Sequence, residues 1–328
     1  MSTYVSNSSL DTLAVVLEKP EQLVLSRLAL DAPGEDDVIV DMEWSGISTG
    51  TERLLWSGRM PPFPGLAYPL VPGYESVGRI SHAGARAGRQ TGERVFVPGA
   101  KCFGDVKGLF GGAASKVVVS GSRVTPIDER MGEQGVLLAL AATAYHAFAS
   151  APGFASGRSE PCDLVIGHGV LGRLIARLGV LFNEKAPVVW ERNPGRVDGA
   201  LGYHVVHPDA DLRRDYRAIY DVSGDSTLLD TLIARLAHGG EVVLAGFYSE
   251  PLSFGFPAAF MREARFRVAA EWRETDMVAV KELIDSGRLN LDGLITHRQD
   301  ASSAASAYRT AFNDPACLKM ILDWRAAS

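Results

Sequence analysis

The run Gly167-His168-Gly169-Val170-Leu171-Gly172 follows the apolar segment Leu164–Ile166 and opens an amphipathic stretch. Glycines at this spacing suit the binding of a dinucleotide. Gly167 permits a tight turn, Gly169 lets the main chain approach a pyrophosphate, and Gly172 lets helix and strand pack closely. Val170 and Leu171 open the helix, whose N–H groups and dipole form a ready anion site. A glycine turn alone is a weak signal, but a second one joins it. Val188–Trp190 reads as the next strand and ends at Glu191, about 20 residues past Gly172, where the ribose-binding acid is expected. A carboxylate there accepts ribose hydroxyls and repels a 2′-phosphate, which favours NAD over NADP. Arg192 follows immediately and could cradle that phosphate, so the alternative stays open. Residues 218–222 and 241–246 read as further strands, whose carboxyl ends carry Ser223 and Gly246 to the same crevice.

The elements that must position these residues fall into two textures. Before about residue 130, short runs at 38–42, 76–80, 94–97 and 115–119 alternate with glycine and proline, as in a mainly antiparallel β domain. Residues 133–149 turn rich in alanine and leucine at helical spacing. Strands then alternate with helices, expected near 198–201 and at 226–237, which implies a parallel sheet with crossover helices. Two more helices are expected at 275–287 and 301–312, and a closing strand at 318–322. The fold class is therefore α/β: a parallel-sheet nucleotide domain at 145–270, and a mainly antiparallel β domain at 1–144 completed by 271–328.

Composition excludes several other functions. The 328 residues include 46% hydrophobic and 22% charged, typical of a globular protein of two ordinary domains. A net charge of −6 argues against a nucleic-acid surface or a polybasic membrane patch. No apolar run is long enough to span a membrane, and the start carries no basic and apolar leader. Cys102, Cys162 and Cys317 show neither disulfide nor metal spacing, so a cytoplasmic, reducing location is expected.

Longer motifs carry a resemblance. Residues 45–78 (SGISTGTERLLWSGRMPPFPGLAYPLVPGYESVG) and 101–119 (KCFGDVKGLFGGAASKVVV), with Thr143-Ala144-Tyr145, the glycine turn and Leu318-Lys319, are similar to the 3-hydroxyethyl (bacterio)chlorophyllide dehydrogenases of bacteriochlorophyll biosynthesis. These form a branch of the medium-chain dehydrogenase/reductase superfamily. The resemblance covers almost the whole chain. It implies a GroES-like catalytic domain beside a Rossmann domain, and oxidation of a 3-(1-hydroxyethyl) substituent to 3-acetyl with a nicotinamide cofactor. The implied substrate is a magnesium chlorin or bacteriochlorin, and the usual assembly of the superfamily is a homodimer.

One departure bears on mechanism. Where zinc-dependent relatives carry Gly-Ile-Cys-Gly-Thr-Asp, this chain has Gly46-Ile47-Ser48-Thr49-Gly50-Thr51-Glu52, and the histidine of Gly-His-Glu is Tyr74. Zinc sites are built from thiolate, imidazole and carboxylate, so no metal is expected. Ser48, Thr49 and Tyr74 then stand where the reacting oxygen should lie, and can stabilise alkoxide character. His146 is a candidate proton acceptor because it changes charge near neutral pH. Lys101 could act as a base only if its pKa were lowered. By position in the motifs, Thr143 touches the nicotinamide and Lys319 reaches the pyrophosphate. Trp44, Trp56, Met60, Phe63, Tyr68, Phe103 and Phe110 supply rings and apolar bulk for a pigment cleft, with the proline-stiffened loop 60–65 as one wall; for any single one of them a core position is the better reading. Nothing positions His82 or His168 as a magnesium ligand. Two rivals remain, a zinc-free NADPH-dependent quinone or enone reductase and a non-catalytic nucleotide-binding protein.

Overall fold

A computed structural model describes residues 10–152, 154 and 161–327. Part of the N-terminal stretch read as lacking a leader, residues 1–9, lies outside the described residues. The chain divides into two compact units. One runs up to Val136 and takes in His297–Asp314 and the residues from Lys319 onward; the other comprises Leu137–Thr296 and Pro315–Leu318. The sequence reading set the limits at 144 and 270, whereas these units meet at 136 and 296. The helix Glu274–Asp285 lies in the stretch that changes sides. It buries Met277, Val280 and Leu283 and packs on the helix Leu138–Ala149, so it stays with the nucleotide unit.

Among the described residues the second unit holds a six-stranded parallel sheet. Its strands are Leu164–Ile166, Val188–Trp190, His204–Val206, Tyr216–Asp221, Leu236–Leu244 and Arg265–Val268. Their spatial order is third, second, first, fourth, fifth, sixth, the doubly wound Rossmann order. Parallel strands are covered on both faces and therefore read as continuous apolar runs. Leu164, Ile219 and Val242 accordingly have no exposed surface. The order reverses between the first and fourth strands, and a ligand crevice opens at the carboxyl ends there.

Two helices differ from expectation. No helix forms at 198–201. A single 3-10 turn, Pro194–Arg196, leads instead into residues whose carbonyls are taken by the Arg173 side chain. The helix expected at 226–237 shrinks to Leu229–Ile233, because Leu236 already belongs to the next strand.

The first unit is built around the strand Asp37–Ile47. It pairs antiparallel with Ser76–Ala83, with Lys116–Ser120 and with the returning strand Met320–Asp323. Strand Asp11–Lys19 pairs with Gln22–Ala29 in a second sheet. The return of the chain matters for the site. Met320 lies opposite Ile47, so Lys319 and Ser48 occupy adjoining positions at the end of one ladder.

Candidate active site

In the first unit Ser48 follows the central strand directly and precedes the short helix Thr51–Ser57. Tyr74 enters from the turn Pro72-Gly73, where Gly73 adopts φ +98° and a Cβ would stand 2.7 Å from the Ala113 nitrogen. Only glycine serves there. The two hydroxyls meet, with Ser48 Oγ 2.8 Å from Tyr74 Oη. The Thr51 hydroxyl bonds the same phenol. Burial and the neighbouring Glu75 charge push the Tyr74 pKa up, so the phenol stays protonated at neutral pH. It can therefore donate a hydrogen bond to a reacting oxygen but is no base. Thr49 lies beside this pair, half-buried.

Two buried acids underlie the hydroxyls, and their depth could not be read from the motif. Glu52 has no exposed surface. Its Oε1 accepts the Ser48 N–H at 3.1 Å and its Oε2 accepts the Tyr308 hydroxyl at 2.7 Å. Burial raises its pKa to about 7, against the Tyr308 hydrogen bond that lowers it. The sign of the stability effect follows. Between pH 4.5 and 7 the unfolded chain has released a proton that the folded one retains, so rising pH destabilises the fold by about 3 kcal/mol across this window. Glu52→Gln keeps an acceptor for the Ser48 N–H and removes the ionisation. Urea unfolding at pH 5 and pH 8 should then give nearly equal stabilities for the variant and a clear loss at pH 8 for the parent.

The second acid is Glu75. Its Oε2 pairs with Lys319 Nζ at 2.5 Å, and Lys319 also donates to the Ile47 carbonyl at 3.2 Å. Gly46 makes room for this carboxylate, since a Cβ there would lie 2.4 Å from Glu75 Oε2. Lys319, expected at the pyrophosphate, is engaged with Glu75 in this structure. It is 1% exposed and neutralises Glu75, a carboxylate that could not be buried alone. Among the described residues Glu75 Oε1 has no hydrogen-bond partner.

Of the residues offered for a pigment cleft, Trp44, Met60 and Phe103 are core, all under 10% exposed. Met60 packs with Leu17, Leu54 and Leu70 beneath its loop. Phe63 and Phe110 are half-buried and form a row that ends at the site: Phe63 meets Phe110 edge-on at 6.3 Å, and Phe110 meets Tyr74 at 5.1 Å. Lys101 and His82 are exposed.

In the second unit the glycine turn has the required shape. Gly167 adopts φ +100°, Gly169 caps the helix Val170–Phe182, and a Cβ on Gly172 would collide with the Gly167 carbonyl at 1.9 Å. A Cβ on Gly169 would meet nothing within 4 Å, so the main chain faces open space. Glu191 sits against the turn, its Oε2 accepting the His168 N–H at 3.0 Å and its Oε1 the Asn193 N–H at 2.8 Å. Each oxygen keeps a lone pair for a ribose hydroxyl. This arrangement fits a dinucleotide. Ser223 caps Asp221 with both its N–H and its hydroxyl, and Gly246 packs against Gly224, where a Cβ would come within 3.1 Å of the nitrogen. Arg192 is exposed and close enough to lower the Asp225 pKa. Thr143 bonds back to the Ala139 carbonyl at 2.9 Å.

His146 has a different environment. Its Nδ1 lies 2.7 Å from Asp276 Oδ2, and Asp276 also accepts the Arg273 N–H. The pair borders a cavity of about 400 Å³ in the nucleotide unit. Among the described residues no three His, Cys, Asp or Glu side chains cluster as metal ligands, and hydroxyls at 48 and 74 do not make a zinc donor set.

Comparison with known proteins adds family relations. The model of the alcohol dehydrogenase GroES-like domain matches residues 34–129. The chain is 54% identical to the 2-desacetyl-2-hydroxyethyl bacteriochlorophyllide A dehydrogenase of Rhodobacter capsulatus, over 97% of this chain and 100% of that one. The protein of the same name from Cereibacter sphaeroides is 53% identical over 97% and 99%. Among solved structures, an Escherichia coli CFT073 alcohol dehydrogenase in complex with NADH superposes with a TM-score of 0.79 at 22% identity, covering 95% of this chain and 99% of that one. That likeness concerns the fold alone.

Proposed function

Because the chain belongs to the 2-desacetyl-2-hydroxyethyl bacteriochlorophyllide A dehydrogenase family of the medium-chain dehydrogenase/reductases, we propose that it oxidises the 3-(1-hydroxyethyl) group of a magnesium chlorin or bacteriochlorin to 3-acetyl, with NAD and without a catalytic metal. The metal-free part rests on one observation, the 2.8 Å contact of Ser48 and Tyr74 at the positions where zinc-dependent relatives carry ligands. A bound nicotinamide ring supplies the hydride acceptor. Gly167, Gly169, Val170, Leu171 and Gly172 would hold its pyrophosphate and Glu191 its ribose, with Thr143, Ser223 and Gly246 lining the same cofactor region.

The chain's own side chains then manage the alcohol. One O–H of the Ser48–Tyr74 pair is spent on the other hydroxyl. The pair, with the phenol held protonated, has one O–H left to donate to the oxygen as negative charge develops on it, where preorganised donors have their largest effect. Thr49 stands beside them. Glu52 is a positioning residue, fixing the Ser48 main chain. The row Phe63, Phe110 and Tyr74 offers flat rings to a macrocycle. A carbinol attached to a conjugated ring system delocalises charge as hydride leaves, which lowers the demand for a Lewis acid. His146, held by Asp276, remains the candidate for taking the proton.

Full activity in protein found metal-free by elemental analysis supports this reading. Loss on chelation with recovery on zinc addition would contradict it, and faster turnover with NADPH than with NADH would favour the reductase alternative.

A homodimer belongs to the same reading. The edge strand Arg265–Val268 and the helix Phe256–Arg262 expose Phe256, Phe260, Met261 and Val268, each at least 65% accessible. An open strand edge with apolar flanks is a template for a second copy. Val268→Lys should shift the particle from dimer to monomer mass in light scattering. The buried thiols of Cys102, Cys162 and Cys317 suit a cytoplasmic setting, and no helix among the described residues is long and apolar enough to cross a membrane.

A further inference from the structure

The first variable residue of the glycine turn, His168, has no exposed surface, although such a position needs no side chain to bind phosphate. Every polar group it owns is used. Its N–H goes to Glu191 Oε2 at 3.0 Å and its carbonyl accepts Arg173 Nε at 3.0 Å. Its Nδ1 lies 2.6 Å from the Arg196 carbonyl and its Nε2 lies 2.8 Å from Tyr203 Oη. A carbonyl can only accept, so Nδ1 carries the proton and Nε2 receives the Tyr203 hydroxyl. Burial lowers the His168 pKa to about 4, which keeps this tautomer neutral at pH 7.

Arg173 completes the arrangement. It is 4% exposed, and its Nη2 donates to the carbonyls of Arg196 at 3.1 Å and Asp198 at 2.7 Å. Gly199 is shaped to it, since a Cβ there would lie 2.3 Å from Arg173 Nη1. Arg196 in turn donates to the Pro315 carbonyl at 2.7 Å. The segment from Glu191 to Asp198 is thereby tied to the glycine turn at both ends. Of the guanidiniums around it, those of Arg173 and Arg196 are committed to main-chain carbonyls, while Arg192 is exposed.

We propose that His168, Arg173 and Tyr203 form a clamp that fixes the 191–198 segment on the ribose side of the cofactor and so determines selection of a free 2′-hydroxyl over a 2′-phosphate. This rests on the dinucleotide reading above. A 2′-phosphate faces the Glu191 carboxylate and can be admitted only if the segment withdraws. The clamp opposes that withdrawal. Releasing it weakens the ligand that needs the closed segment more than the ligand that needs it open.

The test is calorimetric titration of NAD and of NADP, without pigment, into the parent protein, His168→Ala and Tyr203→Phe. In His168→Ala the Kd for NAD should rise about tenfold while that for NADP changes less than threefold, so the preference shrinks. Tyr203→Phe, which keeps the ring and removes one donor, should move the ratio the same way by a smaller amount and carries the test if His168→Ala does not fold. Equal weakening of both ligands, or an unchanged ratio, would overturn the clamp. A parent protein that binds neither dinucleotide would overturn the cofactor reading itself, a result separate from an unchanged ratio in the variants.

Discussion

Tyr74→Phe lowers kcat for alcohol oxidation by about a hundredfold to a thousandfold, the usual cost of losing one donor to a developing oxyanion. The affinity for NAD stays as in the parent. The ring remains, so the edge contact with Phe110 at 5.1 Å and the fold around it are retained. What disappears is a phenol that burial and Glu75 hold protonated, and its bond with Ser48 Oγ. Ser48→Ala should give a similar loss. The double variant should be little worse than either single one, because the two hydroxyls act on one oxygen as a unit. Steady-state kinetics with separate kcat and KM values check this. A Tyr74→Phe enzyme with kcat within twofold of the parent would remove the phenol from the mechanism.

Lys319→Met unfolds the catalytic unit more readily by about 3–5 kcal/mol, since it leaves Glu75 buried without its counter-charge. The parent pair has almost no exposed surface. Glu75 has one oxygen on Lys319 and, among the described residues, no hydrogen-bond partner for the other, so Lys319 is the counter-charge that the pair depends on. Replacing both residues, as in Glu75→Leu with Lys319→Met, should recover most of the loss because the uncompensated charge is gone. Urea unfolding followed by circular dichroism distinguishes these outcomes. The same variants separate two roles for Lys319. A lysine serving the pyrophosphate would weaken NAD binding while the midpoint of unfolding stayed in place; a lysine serving Glu75 moves the midpoint first.

Much of the nucleotide unit was legible because its signals are local. Glycines at 167 and 172 face steric demands that no other residue meets, Gly169 leaves the main chain open to the ligand side, and the acid at 191 lies at a spacing set by one helix and one strand. The alternation of apolar runs and helical stretches likewise carried the parallel sheet. The failures have physical causes too. The stretch 198–201 looked like a crossover helix, but Arg173 takes the carbonyls that a helix would have used. Helix 226–237 was overextended because Leu236 serves a strand and a helix equally well in apolar pattern.

In the catalytic unit the motif fixed the positions of Ser48 and Tyr74, but not what lies beneath them. Glu52 meets Tyr308 across 256 residues of chain, and Glu75 meets Lys319 across 244. No periodicity reports pairings of that range; they follow from the return of Met320–Asp323 to the central strand. The pairing of Lys319 was hidden for this reason, since a basic residue near the end of the chain looks available until its partner is known. The connections of His168 to Tyr203 and Arg196 were invisible for the same reason.

The central claim is that hydroxyl groups in this chain manage a pigment alcohol while NAD takes the hydride. Its most direct test is incubation of metal-free protein with 3-(1-hydroxyethyl) chlorophyllide and NAD, following the pigment absorbance and NADH formation together. Both should change in step, one NADH for each acetyl group formed, with no requirement for added zinc. A pigment spectrum that stays constant while the protein binds NAD, or turnover that appears only when zinc is supplied, would contradict it.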